Sequence, residues 1–291
     1  KITGQDQFFG NFNGFLKNAL FVNMQEAFVG SQQQNEKLKQ YITERTIKVE
    51  NKYQNAYDTP NLMRLFITSN NFKVVAASES ARRFLVLKAS EQFISNGDTV
   101  RDQGIKAYFD ALYDELQGDG PAALLQYLLN RKLEDFPRIP PSTKELSSQV
   151  VLNWKGLKKF IYYAAANGTF DDDDSEPSDT KERWLKDGLT IEKTHLRQLF
   201  NKWSRTQHRR ELDEFEPTTT AFTQTMQAYL GAKEMRPRSG SNQGIRPRHY
   251  CFPRLDFCRE HLSKAARGKI DWGDNAETRE LKKLPDAEDD L

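Results

Sequence analysis

The sequence contains only two cysteines and four histidines, and it has no long hydrophobic run. Two cysteines cannot build the disulfide framework of small secreted domains, so their number favours a reducing compartment such as the cytoplasm. No apolar run approaches the ~20 residues that span a bilayer, and we expect no membrane association. The amino end lacks the apolar core of a signal peptide. It also lacks an initiator methionine, so we expect a piece of a longer protein.

The composition is that of a polar protein with an uneven charge distribution. A chain of 291 residues with a mean hydropathy of -0.78 is long enough to bury a sizeable core, and we expect two domains or one domain with appendages. The net charge is only +2, but acid is concentrated at 171–174 and 286–290 and base between 181 and 269. Such basic clustering points to nucleic acid, and ordinary solvated surface is the alternative.

The order of apolar runs in residues 1–90 predicts a parallel-stranded α/β layer. One run from Leu20 ends in Gln25 and Glu26, and a second from Leu65 ends at Asn70. Between them lie a helical pattern at 36–42 and a Lys/Glu-rich hairpin at 46–52, and a turn is expected at 58–61. A third run, 84–87, follows a pair of arginines. Continuous apolar runs of this length are typical of strands buried on both faces.

The remainder predicts helices and a smaller module. We expect a helical region over 91–167, with a capping box formed by Ser142 and Glu145, and an unstructured acidic linker over 168–182. Residues 183–265 predict two helices, two short strands around a Ser/Gly-rich turn and a final helix, which is the pattern of a winged helix. The second of these helices can be capped by Thr218-Thr219-Thr220. A charged tail covers 266–291. The spacing of cysteines and histidines near 249–261 matches no common zinc pattern, and two buried thiols are the preferred interpretation.

Several polar residues at the ends of these runs are candidates for chemistry. Glu26 could polarise a water against a phosphoryl group, although many strands end in an acid. Gln25 precedes it, where a second carboxylate would help to hold Mg²⁺. Asn70 could orient the attacking water or satisfy a turn. Arg82 and Arg83 could reach a neighbouring nucleotide, or form a surface salt bridge for which Glu79 is a candidate partner.

Lysines and arginines in two predicted hairpins are candidates for nucleic-acid contacts. Lys48 and Lys52 have the same parity along a strand, so we expect them on one face of the first hairpin. Facing a channel they would bind phosphates, and facing outward they would only aid solubility. The second hairpin carries four further candidates: Arg236, Arg238, Arg246 and Arg248.

The order of these elements resembles the helicase-type domain of phage and plasmid primase-helicases, a superfamily 3 (AAA+) ATPase group. The matching stretches cover about the first 150 residues and, more loosely, 183–262. They are Gly10-Asn11-Phe12-Asn13, Gln25-Glu26-Ala27-Phe28, Leu38-Lys39, Ile42-Thr43-Glu44, Glu50-Asn51-Lys52, Pro60-Asn61, Ser69-Asn70-Asn71, Arg82-Arg83-Phe84, Tyr108 to Leu116, Ala123-Leu124-Leu125, Leu128-Leu129 and Pro141-Ser142-Thr143 through Gln149.

The resemblance implies a partial AAA+ P-loop-type parallel sheet, a helical region and a winged-helix-like carboxy-terminal module. It implies that Glu26 is the Walker B acid and a Mg²⁺ ligand, that Asn70 is the sensor-1 residue, and that Arg82 or Arg83 is an arginine finger. Gln25, Glu26 and Asn70 would contact ATP and Mg²⁺. Lys48 and Lys52 would line the pore of a homo-hexameric ring and contact single-stranded or forked DNA. The protein would act in phage or plasmid replication in the cytoplasm of a bacterial host, with a possible upstream primase or polymerase domain.

Two departures from the family pattern leave a second interpretation open. Gln25 stands where the family has an acid, and no Gly-x-x-x-x-Gly-Lys-Ser/Thr loop occurs in the chain. We therefore expect a fragment that does not hydrolyse ATP without its upstream phosphate-binding loop. The alternative is a non-catalytic DNA-binding or replisome-docking module that keeps the AAA+ fold. An unrelated basic winged-helix regulator would require residues 1–90 to lack a parallel sheet.

Overall fold

The chain is a mixed α/β protein that divides into two compact units. A computed structural model describes residues 8–26, 31–95, 97–134, 136–137, 139–171, 177–207, 217–236 and 247–272. The larger unit comprises Lys1–Leu85 and Ser142–Leu291, and the smaller unit comprises Val86–Pro141. Within the described ranges the helices are α1 (Gln32–Thr43), α2 (Thr99–Gln117), α3 (Gly120–Asn130), α4 (Lys144–Leu152), α5 (Gly156–Asn167), α6 (Pro177–Asp187), α7 (Lys193–Gln207), α8 (Thr219–Leu230) and α9 (Leu255–Ala265). The strands are β1 (Phe21–Gln25), β2 (Thr46–Val49), β3 (Tyr57–Pro60), β4 (Arg64–Thr68), β5 (Leu189–Glu192), β6 (Lys233–Met235) and β7 (His249–Phe252).

The first half of the larger unit contains one parallel strand pair and one hairpin. Strands β1 and β4 are parallel, with Phe21 opposite Arg64 and Gln25 opposite Thr68. The hairpin β2–β3 is antiparallel and lies between β1 and β4 in sequence. Both elements have buried apolar side chains, Val22 and Met24 in β1 and Val49 in β2. The predicted parallel α/β arrangement is thus confirmed for this pair.

Two local predictions in this region are wrong. The apolar run 84–87 forms no strand in the described part of the chain, and Leu85 and Leu87 are exposed. Residues 58–60 belong to strand β3 rather than to a turn. Proline is tolerated there because it ends the strand, opposite Thr46, where a missing N–H costs little.

The second half of the larger unit builds a separate three-stranded sheet. The strand order is β5-β7-β6, and both pairings are antiparallel. Helices α5 to α9 surround a core that is rich in aromatic side chains. Its largest fully buried members include Trp184, Tyr250 and Phe160. Phe170 joins two of the elements, because its ring lies 5.2 Å from Trp184 and 5.1 Å from Phe252.

The helix caps agree with the sequence prediction in one case and differ in another. Thr218 accepts a hydrogen bond from Ala221 N and begins α8, as expected. Helix α4 begins one residue later than predicted, because Thr143 rather than Ser142 accepts from Leu146 N. The Ser142 hydroxyl instead donates to the carbonyl of Arg267.

Parts of the predicted linker and tail are ordered in the larger unit. Helix α6 covers 177–182 of the expected acidic linker. Of the charged tail, residues 266–272 are described, and they fold back on the helices. Trp272 lies 5.6 Å from the ring of Tyr162, and Asp271 forms a salt bridge of 2.7 Å with Lys144.

The smaller unit contains the helices α2 and α3, within the helical region that the sequence predicts. Neither α2 nor α3 has a buried side chain in the described structure. No helix in the described ranges is both long and apolar enough to cross a membrane. The exposed apolar side chains of the two helices are Tyr108, Phe109, Leu112, Tyr113, Leu116, Leu124, Leu125, Tyr127, Leu128 and Leu129.

Candidate functional site

Polar residues from two neighbouring strands meet at one edge of the β1–β4 pair. Gln25 is the last residue of β1 and is opposite Thr68, the last residue of β4. Glu26 therefore follows one carboxyl end, and Asn70 lies two residues beyond the other. Both side chains are exposed. Because carboxyl ends of parallel strands are where α/β proteins place their ligands, this edge is the candidate nucleotide site.

The backbone of Glu26 is in the left-handed region, with φ of 54°. Residues other than glycine and asparagine rarely adopt this backbone conformation, which costs about 1–2 kcal/mol. Glu26 is exposed, so packing of its side chain does not account for its presence there. Strain of this kind concentrates at functional positions, which supports a role for the carboxylate.

The candidate Mg²⁺ donors are few but compatible with a nucleotide-bound ion. The described residues contain no group of three or more histidines, cysteines or acids that could hold a metal. Magnesium is commonly bound by one or two carboxylates together with substrate phosphates. The Glu26 carboxylate and the Gln25 and Asn70 amides suit an ion held mainly by phosphate oxygens.

The arginine pair lies beyond a segment without regular structure. Arg82 is exposed and Arg83 is half-buried. In the described part of the chain neither arginine forms an ion pair, and Arg83 Nε is buried without a hydrogen-bond partner. The structure gives no contact between this pair and Glu26 or Asn70, so the site residues are brought together only in part.

Glu79 does not pair with the arginines, so that sequence alternative is wrong. Its Oε1 instead accepts three hydrogen bonds: from Trp154 Nε1 at 2.9 Å, Lys158 Nζ at 2.8 Å and Tyr229 OH at 2.5 Å. Burial raises the pKa of Glu79, but the hydrogen bonds from Lys158 and Tyr229, the Lys158 charge and the Trp154 bond together bring it below its ordinary value. Burial lowers the pKa of Lys158, but its hydrogen bonds and charge interactions with Glu79 and Tyr229 raise it overall. Burial and the hydrogen bond with Glu79 raise the pKa of Tyr229.

We expect this cluster to make stability depend on pH in the acid range. A carboxyl whose pKa is lowered in the folded state stabilises the protein above its unfolded pKa of 4.5, and that contribution is lost as the pH falls through the folded value. Glu79→Gln removes the titrating group. The free-energy difference between wild type and Glu79→Gln should therefore shrink below pH 4.5, measured by denaturant unfolding across a pH series. A difference that stays constant across the series would contradict this assignment.

Both predicted lysines of the hairpin are exposed, but they do not lie on one strand face as the sequence predicted. Lys48 is on β2, opposite Asp58 of β3. Strand β2 ends at Val49, so Lys52 lies in the connecting turn and not on the face that Lys48 shares. The prediction of one common strand face is therefore wrong, because parity holds only while the chain stays extended.

Tyr53 at the tip of the same hairpin was missed by the sequence analysis. Its side chain is 91% exposed, and its φ is 67°. Lys52 Nζ lies 5.2 Å from the centre of the tyrosine ring. Glycine or asparagine suits this backbone conformation better, and an exposed aromatic ring gains nothing from burial. A tyrosine directly after a lysine in a short turn was the signal that the sequence offered.

A buried asparagine holds the place where strand β2 enters the hairpin turn. Asn13 donates to the Tyr41 hydroxyl at 3.1 Å and to the Lys48 carbonyl at 2.9 Å, and it accepts from Glu50 N at 2.8 Å. These bonds join the loop before β1 to α1 and to the carboxyl end of β2. An open polar cavity of about 240 Å³ lies beside them. Lys37 in that cavity donates to the carbonyls of Phe9 and Gly10, which indicates a structural role.

The second basic hairpin is described in part. Arg236 follows β6 and Arg248 precedes β7, and because Met235 pairs with His249, the two arginines lie at the same end of the strand pair. Both arginines are exposed. The hydrogen bond with Lys193 lowers the pKa of Glu234, burial opposes this effect, and the charges of Arg248 and Arg236 lower the pKa further. Arg238 and Arg246 lie outside the described residues.

Comparison with known proteins gives a fold relationship. Residues 1–83 match a family model described as a family of unknown function (DUF5906). No curated protein matches the chain. Two solved structures are similar: the apo structure of the NrS-1 C-terminal region (305-718), with TM-score 0.51 and 16% identity, and the A form apo structure of the same region, with TM-score 0.50 and 17% identity. Each match covers 87% of this chain and 59% of the other, so the chain spans under two thirds of those structures.

Proposed function

We propose that the chain is the carboxy-terminal part of a phage- or plasmid-type replicative superfamily 3 DNA helicase. The main observation behind this proposal is that Glu26 and Asn70 follow two neighbouring parallel strands. A hairpin with a lysine and a tyrosine at its tip lies between those strands in sequence. This arrangement agrees with the order of motifs on which the resemblance to superfamily 3 helicases rests. The fold shared with the NrS-1 C-terminal region is consistent with it.

In this proposal the strand edge supports phosphoryl transfer by positioning and charge. Glu26 would polarise the attacking water, and Asn70 would orient it or contact the terminal phosphate. ATP would supply the phosphoryl group, and Mg²⁺ would balance the negative charge of the phosphates. Arg82 or Arg83 would reach the nucleotide of an adjacent subunit in a homo-hexameric ring. The missing Gly-Lys-Ser/Thr loop would come from sequence upstream of Lys1, and the 291 residues alone would not hydrolyse ATP.

The hairpin tip would bind single-stranded DNA through charge and stacking. Lys48 and Lys52 would contact phosphates, and Tyr53 would stack on a base. Stacking suits unpaired bases, because their faces are accessible in a single strand. Arg236 and Arg248 would add a second basic surface, on a module whose order α6-β5-α7-α8-β6-β7 and strand order β5-β7-β6 support a winged-helix-like DNA-binding unit.

We expect Tyr53→Ala to weaken binding of the chain to oligo-dT. Loss of one stacked base is worth about 1–3 kcal/mol, which raises the Kd by about 5- to 150-fold. Fluorescence anisotropy at fixed ionic strength measures the change. Tyr113→Ala, which removes another exposed tyrosine from α2, is the matched control and should leave the Kd unchanged. Equal Kd values for wild type and Tyr53→Ala would exclude a stacking role.

The competing function is a DNA-binding or docking module without catalysis, and Gln25 favours it. The amide brings no charge to the place where a second carboxylate would hold Mg²⁺. Unwinding of a forked duplex separates the two functions. The parent protein extended upstream through its phosphate-binding loop, called here the extended protein, should separate the strands in the presence of ATP. An extended protein that folds and binds the fork but leaves it intact would favour the docking module.

A further inference from the structure

The residues that join Asn70 to the arginine pair have a shape imposed by distant helices. This connecting segment, residues 72–83, contains no helix or strand. Nevertheless Val75, Ala77 and Ala81 within it are buried. Buried backbone N–H and C=O groups need hydrogen-bond partners, and in a segment without helix or strand these partners must come from other parts of the chain. Here most of them come from side chains beyond residue 141, in the same compact unit.

One glutamine of α4 binds three backbone groups at the start of the connecting segment. Gln149 is 5% exposed. Its Oε1 accepts from Val74 N at 2.8 Å and Val75 N at 3.2 Å, and its Nε2 donates to the Phe72 carbonyl at 2.6 Å. Asn153, at the end of the same helix, donates to the Val75 carbonyl at 3.1 Å. The two amides thus fix the chain over four consecutive residues, from 72 to 75.

The middle of the segment is held through Glu79. Its three donors come from the α4–α5 junction (Trp154), α5 (Lys158) and α8 (Tyr229). Lys158 Nζ also lies 5.1 Å from the centre of the Tyr229 ring, so the donors support one another. Helix α8 precedes β6, the strand that leads to Arg236. Through Tyr229 the segment is therefore connected to the helix that directly precedes the second basic hairpin.

The last contact lies next to the arginine pair. The Arg267 guanidinium donates to the Ala81 carbonyl, one residue before Arg82. Ser142 in turn donates to the Arg267 carbonyl. Arg83 Nε, buried without a partner in the described chain, is left available beyond this fixed point. A buried, unpaired donor in a native protein calls for an explanation, and an anionic oxygen supplied by another molecule is one.

We propose that Gln149, Glu79 and Tyr229 are positioning residues that fix Arg82 and Arg83 for catalysis. The inference rests on the proposed function, because it assigns the arginines to phosphoryl transfer. Its new element is that helices of the carboxy-terminal half set the geometry of the pair. The arginines stabilise charge that develops in the transition state, so their displacement should lower kcat and leave the KM for ATP unchanged.

Two tyrosine hydroxyls provide a matched test. Tyr229→Phe removes only the 2.5 Å bond to Glu79 and keeps the ring on Lys158. Tyr250→Phe removes a comparable 2.7 Å bond to Thr223 within the same half, and neither partner belongs to the connecting segment. The steady-state ATPase activity of the extended protein is measured with both variants. We expect Tyr229→Phe to lower kcat by about fivefold or more at unchanged KM, and Tyr250→Phe to leave both constants unchanged.

A second measurement separates positioning from general destabilisation. In an Arg82→Ala, Arg83→Ala background, Tyr229→Phe should cause no further loss of kcat, because its effect passes through the arginines. Hydrogen exchange of the 291-residue chain should show faster exchange at residues 74–81 in Tyr229→Phe and Gln149→Leu, but not in Tyr250→Phe.

The outcomes distinguish the two proposals. An extended wild-type protein without ATPase activity overturns the proposed function and this inference together. An active wild type in which Tyr229→Phe behaves like Tyr250→Phe overturns the positioning role alone. A further loss of kcat in the arginine-free background also overturns it, because the effect would then bypass Arg82 and Arg83.

Discussion

Replacing Glu26 with glutamine should abolish ATP hydrolysis by the extended protein. The amide keeps the size of the side chain but can neither accept a proton nor attract Mg²⁺ by charge. Loss of a group that activates water costs about 100- to 10,000-fold in rate. We expect kcat to fall by at least about 100-fold, measured in a steady-state assay with single-stranded DNA present.

A glycine variant provides the control for the unusual backbone of Glu26. Glu26→Gly removes the carboxylate and also relieves the left-handed strain at φ of 54°. It should be as inactive as Glu26→Gln, yet at least as stable as wild type in denaturant unfolding. Retained hydrolysis in Glu26→Gln would remove Glu26 from the catalytic site. An inactive Glu26→Gly that is also unfolded would indicate a structural role.

Removing Trp184 should cause a large loss of stability. Its side chain is fully buried on α6, its ring lies 5.2 Å from Phe170, and its Nε1 donates to the Pro253 carbonyl at 3.0 Å. Trp184→Ala leaves a cavity and removes one hydrogen bond from the Pro253 carbonyl, which still accepts from Cys258 Sγ. We expect the change to cost about 3–5 kcal/mol in free energy of unfolding. Equilibrium denaturation of the 291-residue chain measures the loss.

The control for this prediction is an exposed aromatic residue of the same half. Phe257 on α9 is 52% exposed, and Phe257→Ala should change the free energy of unfolding by no more than about 0.5 kcal/mol. A loss of similarly small size for Trp184→Ala would show that α6 is not part of the cooperative core. That result would restore the sequence prediction of an unstructured linker over 177–182.

Local patterns in the sequence predicted the elements whose stabilising contacts are local. The first strand of the hairpin after α1 and the Thr218 cap depend on neighbouring residues, and they lie where they were expected. The run ending in Gln25 also forms the expected strand, although its partner β4 is distant in sequence. The run 84–87 was predicted as a strand on the same grounds, but apolar composition cannot supply a pairing partner. In the described structure its Leu85 and Leu87 remain exposed.

The features that sequence reasoning missed depend on distant partners or on backbone conformation. Glu79 meets Trp154, Lys158 and Tyr229 across 75 to 150 residues of chain. No spacing rule links such positions. Tyr53 was missed for a different reason, because its interest lies in a left-handed backbone and an exposure of 91%, neither of which a sequence displays.

The most direct test of the account is whether single-stranded DNA stimulates ATP hydrolysis through the hairpin. The extended protein is titrated with oligo-dT, and its hydrolysis rate is compared with those of the Tyr53→Ala and Tyr113→Ala variants. We predict that DNA raises the rate of the wild type and of Tyr113→Ala, whereas Tyr53→Ala keeps the basal rate and needs far more DNA for stimulation. A wild type that hydrolyses no ATP, or a Tyr53→Ala variant stimulated like the wild type, would contradict the coupling of the strand edge to the hairpin.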